Sequence, residues 1–277
     1  MERGRGLHQL RKNGLAMVGL FFIGCLVILA MIGPWISPYN PLLPDPINRL
    51  EGPSATHFFG TDSLGRDILS RVIYGSRISI LIGLIAVSIS LVPGTLFGLL
   101  SGFYGKKVDE PIMRLMDVML AFPAILLAIF ITAILGPSLL NTMIAVGIVY
   151  IPHYARIVRS SVLSLKEQEF VQAVRSIGGS NLRIIALHIF PNTLPPIIVY
   201  ATLGMGTAVL QAAALGFLGL GAQPPMPEWG AMLSEGRQYI QLAPHVAAFP
   251  GLAIFTLVLG FNLFGDGLRD VLDPSLR

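Results

Sequence analysis

The 277-residue chain is 53% hydrophobic and only 12% charged, with a mean hydropathy of +0.72. That excludes an ordinary soluble domain, in which about a quarter of residues carry charge. Its net charge of +4 says less than the placement of the charges, and the single cysteine, Cys25, excludes an internal disulfide or a cysteine-built metal cluster.

Charged residues cluster between charge-poor windows at 13–44, 78–105, 118–155, 184–227 and 238–265. A membrane-crossing helix needs about 20 apolar residues. Window 118–155 holds two crossings, broken near Gly136-Pro137, and 184–227 holds one, at roughly 194–216. The expectation is an all-α, polytopic membrane protein with six transmembrane helices.

Residues 1–12 read as a basic tail, and 14–34 as an uncleaved first span. That run is long for a signal peptide, and no small-x-small site precedes Trp35. Segment 35–77 opens with prolines 38, 41, 44, 46 and 53, so it begins extended. It then carries Asp62, Arg66 and Asp67 before a helical run from Ile68. These charges either bind ligand charges or pair and cap locally, as an aspartate before a helix commonly does. The second span has Gly94, Gly98 and Gly102 at four-residue spacing, a small-residue stripe for close helix packing within the chain or against a partner. Residues 106–117 read as a short inner loop, and Pro123, Pro137 and Pro152 as bends or ends.

A polar, helix-patterned stretch follows from Lys166 to Gly178. Phe170, Val171, Val174 and Ile177 share one face, with Gln168, Glu169, Gln172, Arg175 and Ser176 around the rest. Gly178-Gly179 ends this helix, and Ser180 or Asn181 caps a second short one running to Ile189, halted by Pro191. Such a hairpin, too short to cross a membrane, docks on a protein or lies on headgroups. Farther on, the fifth span carries Gln211, an uncharged polar residue that faces a solute pathway or a neighbouring helix. An irregular outer segment from Gly216 leads through Glu228 and Trp229 to about Gln241 and reads as a re-entrant or interfacial lid. Asn262 and Asp266 end the sixth span.

The hairpin resembles the cytoplasmic "EAA" loop of bacterial ABC-importer permeases, with Gln172-Ala173-Val174, Gly178 and Pro191 at that loop's spacings. Gln172 replaces its glutamate, Val174 its second alanine, His188 its isoleucine and Phe190 its leucine. The His-Ile-Phe-Pro-Asn ending, and the Gly-Thr-Asp and Gly-Arg-Asp pieces before the second span, are most similar to the dipeptide, oligopeptide and nickel branch. The resemblance implies an ATP-driven importer of peptides, with nickel chelates as the alternative. It implies a homologous second permease subunit, two ABC ATPase subunits and an extracytoplasmic substrate-binding protein as partners, in the lipid bilayer. It further implies a coupling loop at 159–192 in which Glu167, Glu169, Phe170, Gln172, Ala173, Arg175, Gly178 and Pro191 contact the ATPase. Asp62, Arg66, Asp67, Glu228 and Trp229 become candidates for extracytoplasmic docking or gating, and Gln211 and Asn262 for the pathway. On this reading 1–77 comprises tail, first helix and outer loop, and 78–277 is the core permease domain.

Orientation follows from lysine and arginine. With the N-terminus inside, fourteen lie on inner segments and five on outer ones, which puts both termini and the hairpin in the cytoplasm. A secondary transporter would show intramembrane ionisable residues or an inverted repeat, and neither is evident. No catalytic motif, cofactor or metal site is expected, the histidines at 8, 57, 153, 188 and 245 being scattered. Topology accounts for the basic balance, so no nucleic acid is expected as a partner.

Overall fold

The structure is a computed structural model describing residues 13–272, so the basic tail 1–12 and residues 273–277 lie outside it. The described residues are helices and connecting turns. They are α1 (Gly14–Ile36), α2 (Ile68–Tyr104), α3 (Lys106–Leu120), α4 (Ala124–Leu135), α5 (Leu139–Leu165), α6 (Glu169–Ser176), α7 (Asn181–Phe217), α8 (Trp229–Gly236) and α9 (His245–Leu272). α1, α2, α7 and α9 are each long and apolar enough to cross a membrane.

The third crossing differs from expectation. Residues 106–117 form part of helix α3, not a loop, and α3 meets α4 at a 92° bend. Pro123 breaks the chain there, and Gly136, at φ +90°, ends α4. With 12 residues, α4 is only about 18 Å long against a hydrocarbon core of about 30 Å. α3 thus turns across the end of the bundle as an amphipathic collar. α5, with 27 residues, is long enough to cross but more polar than the other spans. It can be so because it is enclosed: Ala145, Ala155, Val158 and Val162 are wholly buried.

α2 and α5 form the most extensive helix pair. The Gly94, Gly98 and Gly102 stripe lies in this seam, within the chain. A Cβ on Gly94 would stand 2.5 Å from Tyr154 Cβ, one on Gly98 2.6 Å from the Ala155 carbonyl, and one on Gly102 2.7 Å from Val162 Cβ. In lipid, packing of this kind is what holds two helices together. α7 and α9 complete the bundle and α1 packs outside against α9, where Gly19 meets the Phe264 backbone.

The fifth crossing also departs from expectation, because Pro191 does not halt the helix before it. α7 runs unbroken from Asn181 through a π-helical stretch, Ile184–Ile189, into the membrane segment. Pro191 falls in the first turn after that stretch, where a missing N–H costs little.

Gly98→Ala should destabilise the protein by about 1–3 kcal/mol through overpacking against backbone. Gly24→Ala, with no atom within 4 Å of its Cβ, should not. Thermal denaturation in detergent checks the pair.

Candidate functional site

At one end of the bundle, α6 and the start of α7 form the hairpin. α6 closes with a Schellman motif, in which the Gly179 N–H donates to the Val174 carbonyl (2.9 Å) and the Gly178 N–H to that of Arg175 (3.0 Å). Gly178 adopts φ +83°, a conformation that glycine enters without penalty. The Ser180 hydroxyl then accepts from the Arg183 N–H at 3.4 Å and starts α7. The apolar face expected on α6 is split. Val171 is fully buried against Val158, Val162, Ile184 and Ile189, and Val174 is half-buried beside them. Phe170 lies one residue round the helix and Ile177 beyond its last turn, so both face outward, Ile177 at 85% exposure. Leu182 is 76% exposed. Glu167, Glu169, Gln172, Ala173, Arg175, Gly178 and Pro191 are exposed as well.

Polar ties fix this hairpin to the bundle. Lys166 Nζ donates to the Gly102 carbonyl at 3.2 Å, at the end of α2. Arg159 of α5 grips Asp109 of the α3 collar in a two-pronged pair, Nε to Oδ1 at 2.6 Å and Nη2 to Oδ2 at 2.5 Å. Arg156 pairs with Asp117 at 2.6 Å on the surface. The sequence reading missed these collar contacts. The alternation of acids on 106–117 with bases on 156–166 was the available signal.

At the opposite end, the candidate docking residues lie inside the protein. Asp62, Arg66 and Asp67 are at most 3% exposed. Arg66 Nε donates to Asp62 Oδ2 and its Nη2 to Glu235 Oε2, each at 2.7 Å. Arg71 of α2 stands 3.5 Å from both carboxylates and donates to the Pro41 and Pro225 carbonyls. Asp67 caps α2 through the Ser70 N–H (2.7 Å) and pairs with His57 Nδ1 (2.9 Å). Glu228 caps α8, accepting from Gly230 and Ala231 at 2.8 Å, and burial pushes its carboxyl above the ordinary range against the pull of those donors. Trp229 is wholly buried and donates from Nε1 to the Val72 carbonyl at 3.1 Å, over Gly75. These groups bind the proline-rich segment and α8 to α2, and the side chains are consumed in doing so. His245 contacts the Thr61 carbonyl in the same region.

The two candidate pathway residues are not brought together. Gln211 sits on α7 beside the Tyr150 hydroxyl, whereas Asn262 is exposed on α9.

Val171→Ala should loosen the hairpin by about 2 kcal/mol, two buried methyl groups being lost. Amide exchange over residues 168–183 should then quicken, while Phe170→Ala leaves it unchanged. Arg66→Ala leaves the buried Asp62 carboxylate with only Arg71, 3.5 Å away, as a cationic partner, a loss of about 3 kcal/mol. It should expose 40–67 to protease, and Glu235→Gln, at a position water reaches, should do so far less.

Comparison with known proteins accords with this architecture. Residues 94–277 match the family model for the binding-protein-dependent transport system inner membrane component, and residues 4–53 match that for the N-terminal TM domain of oligopeptide transport permease C. The chain is 56% identical to the dipeptide transport system permease protein DppC of Alkalihalophilus pseudofirmus, over 97% of this chain and 88% of that protein. It is 51% identical to the di/tripeptide transport system permease protein DppC of Pseudomonas aeruginosa, over 96% and 89% of the two chains. It is likewise 51% identical to the glutathione transport system permease protein GsiD of Escherichia coli, over 98% and 89%. Among solved structures, the MetNI methionine ABC transporter, in an inward-facing conformation, contains a chain that superposes with a TM-score of 0.60 at 19% identity. The match covers 74% of this chain and 98% of that one, a likeness of fold. The chain therefore belongs to the family of binding-protein-dependent transport system inner membrane components, as a multi-pass membrane permease subunit.

Proposed function

We propose that this chain is a permease subunit of an ATP-driven ABC importer that carries peptides into the cytoplasm. The peptide assignment rests on the three relatives, whose names specify dipeptides, di/tripeptides and glutathione at 51–56% identity. The distribution of basic residues supports an orientation with both termini and the hairpin in the cytoplasm. A homologous second permease completes the pore, two ATPase subunits hydrolyse the nucleotide, and an extracytoplasmic binding protein delivers the solute. Residues 78–277 form the core of the permease and 159–192 its coupling loop.

One observation carries the coupling role. The hairpin is held firmly on its inner side by Val171, Lys166 and the Gly178 turn, yet it offers Phe170, Ile177 and Leu182 to the outside. Apolar side chains at a rigid, polar-rimmed tip suit the cleft of a protein partner, where an anchor in a pocket supplies most of the binding energy. Glu167, Glu169, Gln172 and Arg175 form that rim. Because the second arm continues directly into α7, a push on the tip passes along a single helix into the membrane.

Ile177→Glu should leave insertion and the amount of protein unchanged, since the side chain touches little of its own chain. It should cut ATP-dependent dipeptide uptake by at least about tenfold, as loss of one interface anchor does. Uptake at the normal rate in cells carrying this variant would overturn the coupling assignment.

A further inference from the structure

Between α2, α5 and α7, within the membrane part of the bundle, lies a partly enclosed cavity of about 90 Å3, room for about three water molecules. Its lining includes five hydroxyl side chains, Ser90, Tyr150, Tyr154, Tyr200 and Thr207, and no charged one. Tyr154 is 2% exposed, and its hydroxyl makes no hydrogen bond of good geometry, the Ser90 oxygen lying beside it. A buried phenol ordinarily finds one, and leaving it unpaired in a low-dielectric interior is costly. Ser90 and Thr207, on the same lining, already donate to backbone carbonyls, Ser90 to those of Ala86 and Val87 and Thr207 over 3.4 Å to that of Leu203, so their oxygens are left to accept. Packing keeps the space open. A Cβ on Gly204 would come 2.8 Å from the Tyr154 hydroxyl oxygen, and Gly94 gives the base of Tyr154 its seat. Tyr200, Gly204, Thr207 and Gln211 succeed one another at intervals of four, three and four residues, so they run along one face of α7. Across from them Tyr150 and Tyr154 sit one turn apart on α5.

We propose that this hydroxyl-lined cavity is a solute subsite, in which Tyr154 and Thr207, with Tyr150, Tyr200 and Ser90, hydrogen-bond an uncharged amide group of a peptide in transit. This rests on the peptide reading above. Hydroxyls both donate and accept, which matches the C=O and N–H of any amide whatever its side chain. The absence of charge keeps the hold weak enough to release. The volume is far short of a whole dipeptide, so the subsite takes one group of the solute at a time, and Gln211 extends the same polar track along α7.

The test uses the complete transport complex in proteoliposomes, with its binding protein, a radiolabelled dipeptide and ATP. Tyr154→Phe removes the hydroxyl and keeps the ring, which packs edge-on to Tyr200 at 4.9 Å. Thr207→Val is an equal-volume change on the other helix. Each should lower the maximal uptake rate per ATP hydrolysed about fivefold, the worth of one hydrogen bond. The dipeptide concentration giving half-maximal uptake should stay put. Thermal stability should hold or rise in Tyr154→Phe, where an unpaired buried hydroxyl has been removed, and change little in Thr207→Val, whose half-buried hydroxyl donates only a long bond to the Leu203 carbonyl. Wild-type uptake by both variants would overturn the proposal alone and leave a water-filled void. If Tyr154→Phe fails to assemble, Thr207→Val decides by the same criteria. Failure of the unaltered complex to move the dipeptide would instead overturn the peptide reading, and this proposal with it.

Discussion

The close approach of α2 and α5 is the constraint on which the rest of the structure depends. Three glycines in register allow the α5 backbone to lie against α2, and lipid offers no hydrophobic drive that would substitute for that contact. The seam places Tyr154 at the central cavity and puts Arg159 within reach of Asp109 on the collar. It also brings the end of α5 over the base of the hairpin, where Val158 and Val162 meet Val171. One packing surface thus positions a polar interior, a collar and the hairpin.

The two ends of the bundle treat polar and apolar groups in opposite ways. At the end that carries the proline-rich segment, charges are drawn inside and matched: two arginines face two carboxylates, and a third carboxylate caps a helix. A proline-rich segment has few backbone donors with which to hold itself, so buried ion pairs and caps hold it instead. At the hairpin end, apolar side chains are left out on a short helix whose inner face is already satisfied. The first arrangement makes a fixed plug of structure, and the second leaves Phe170, Ile177 and Leu182 exposed at the tip.

A polar cavity in the middle of an apolar bundle is costly unless something fills it. The hydroxyls around Tyr154 lie on the three helices that also connect to the hairpin, since α7 carries both Thr207 and the hairpin's second arm. Movement of that arm would therefore alter the cavity lining directly, through the helix itself and not through a chain of side-chain contacts.

Local chemistry in the sequence determined much of this. The charge-poor windows marked the crossings because a charge in hydrocarbon is prohibitive, and Asp67 and Gly178 announced a helix start and a helix stop whatever surrounds them. The glycine stripe declared a seam but not its partner. Which helix fills a groove depends on how the whole bundle assembles, and only the fold identified α5. The same holds for Asp62, Arg66 and Glu228. Their identities permit a docking surface as readily as an internal clamp; in the fold Asp62 and Arg66 are buried against Glu235, far away in sequence, and Glu228 is buried as the cap of its own helix, α8. Pro191 reads as a stop locally, yet a π-helical stretch before it lets the helix continue. α6 divides its apolar residues between core and surface because α5 covers only part of it. The cavity around Tyr154 had no signature in the sequence, because its hydroxyls come from three helices and become a set only when those helices pack.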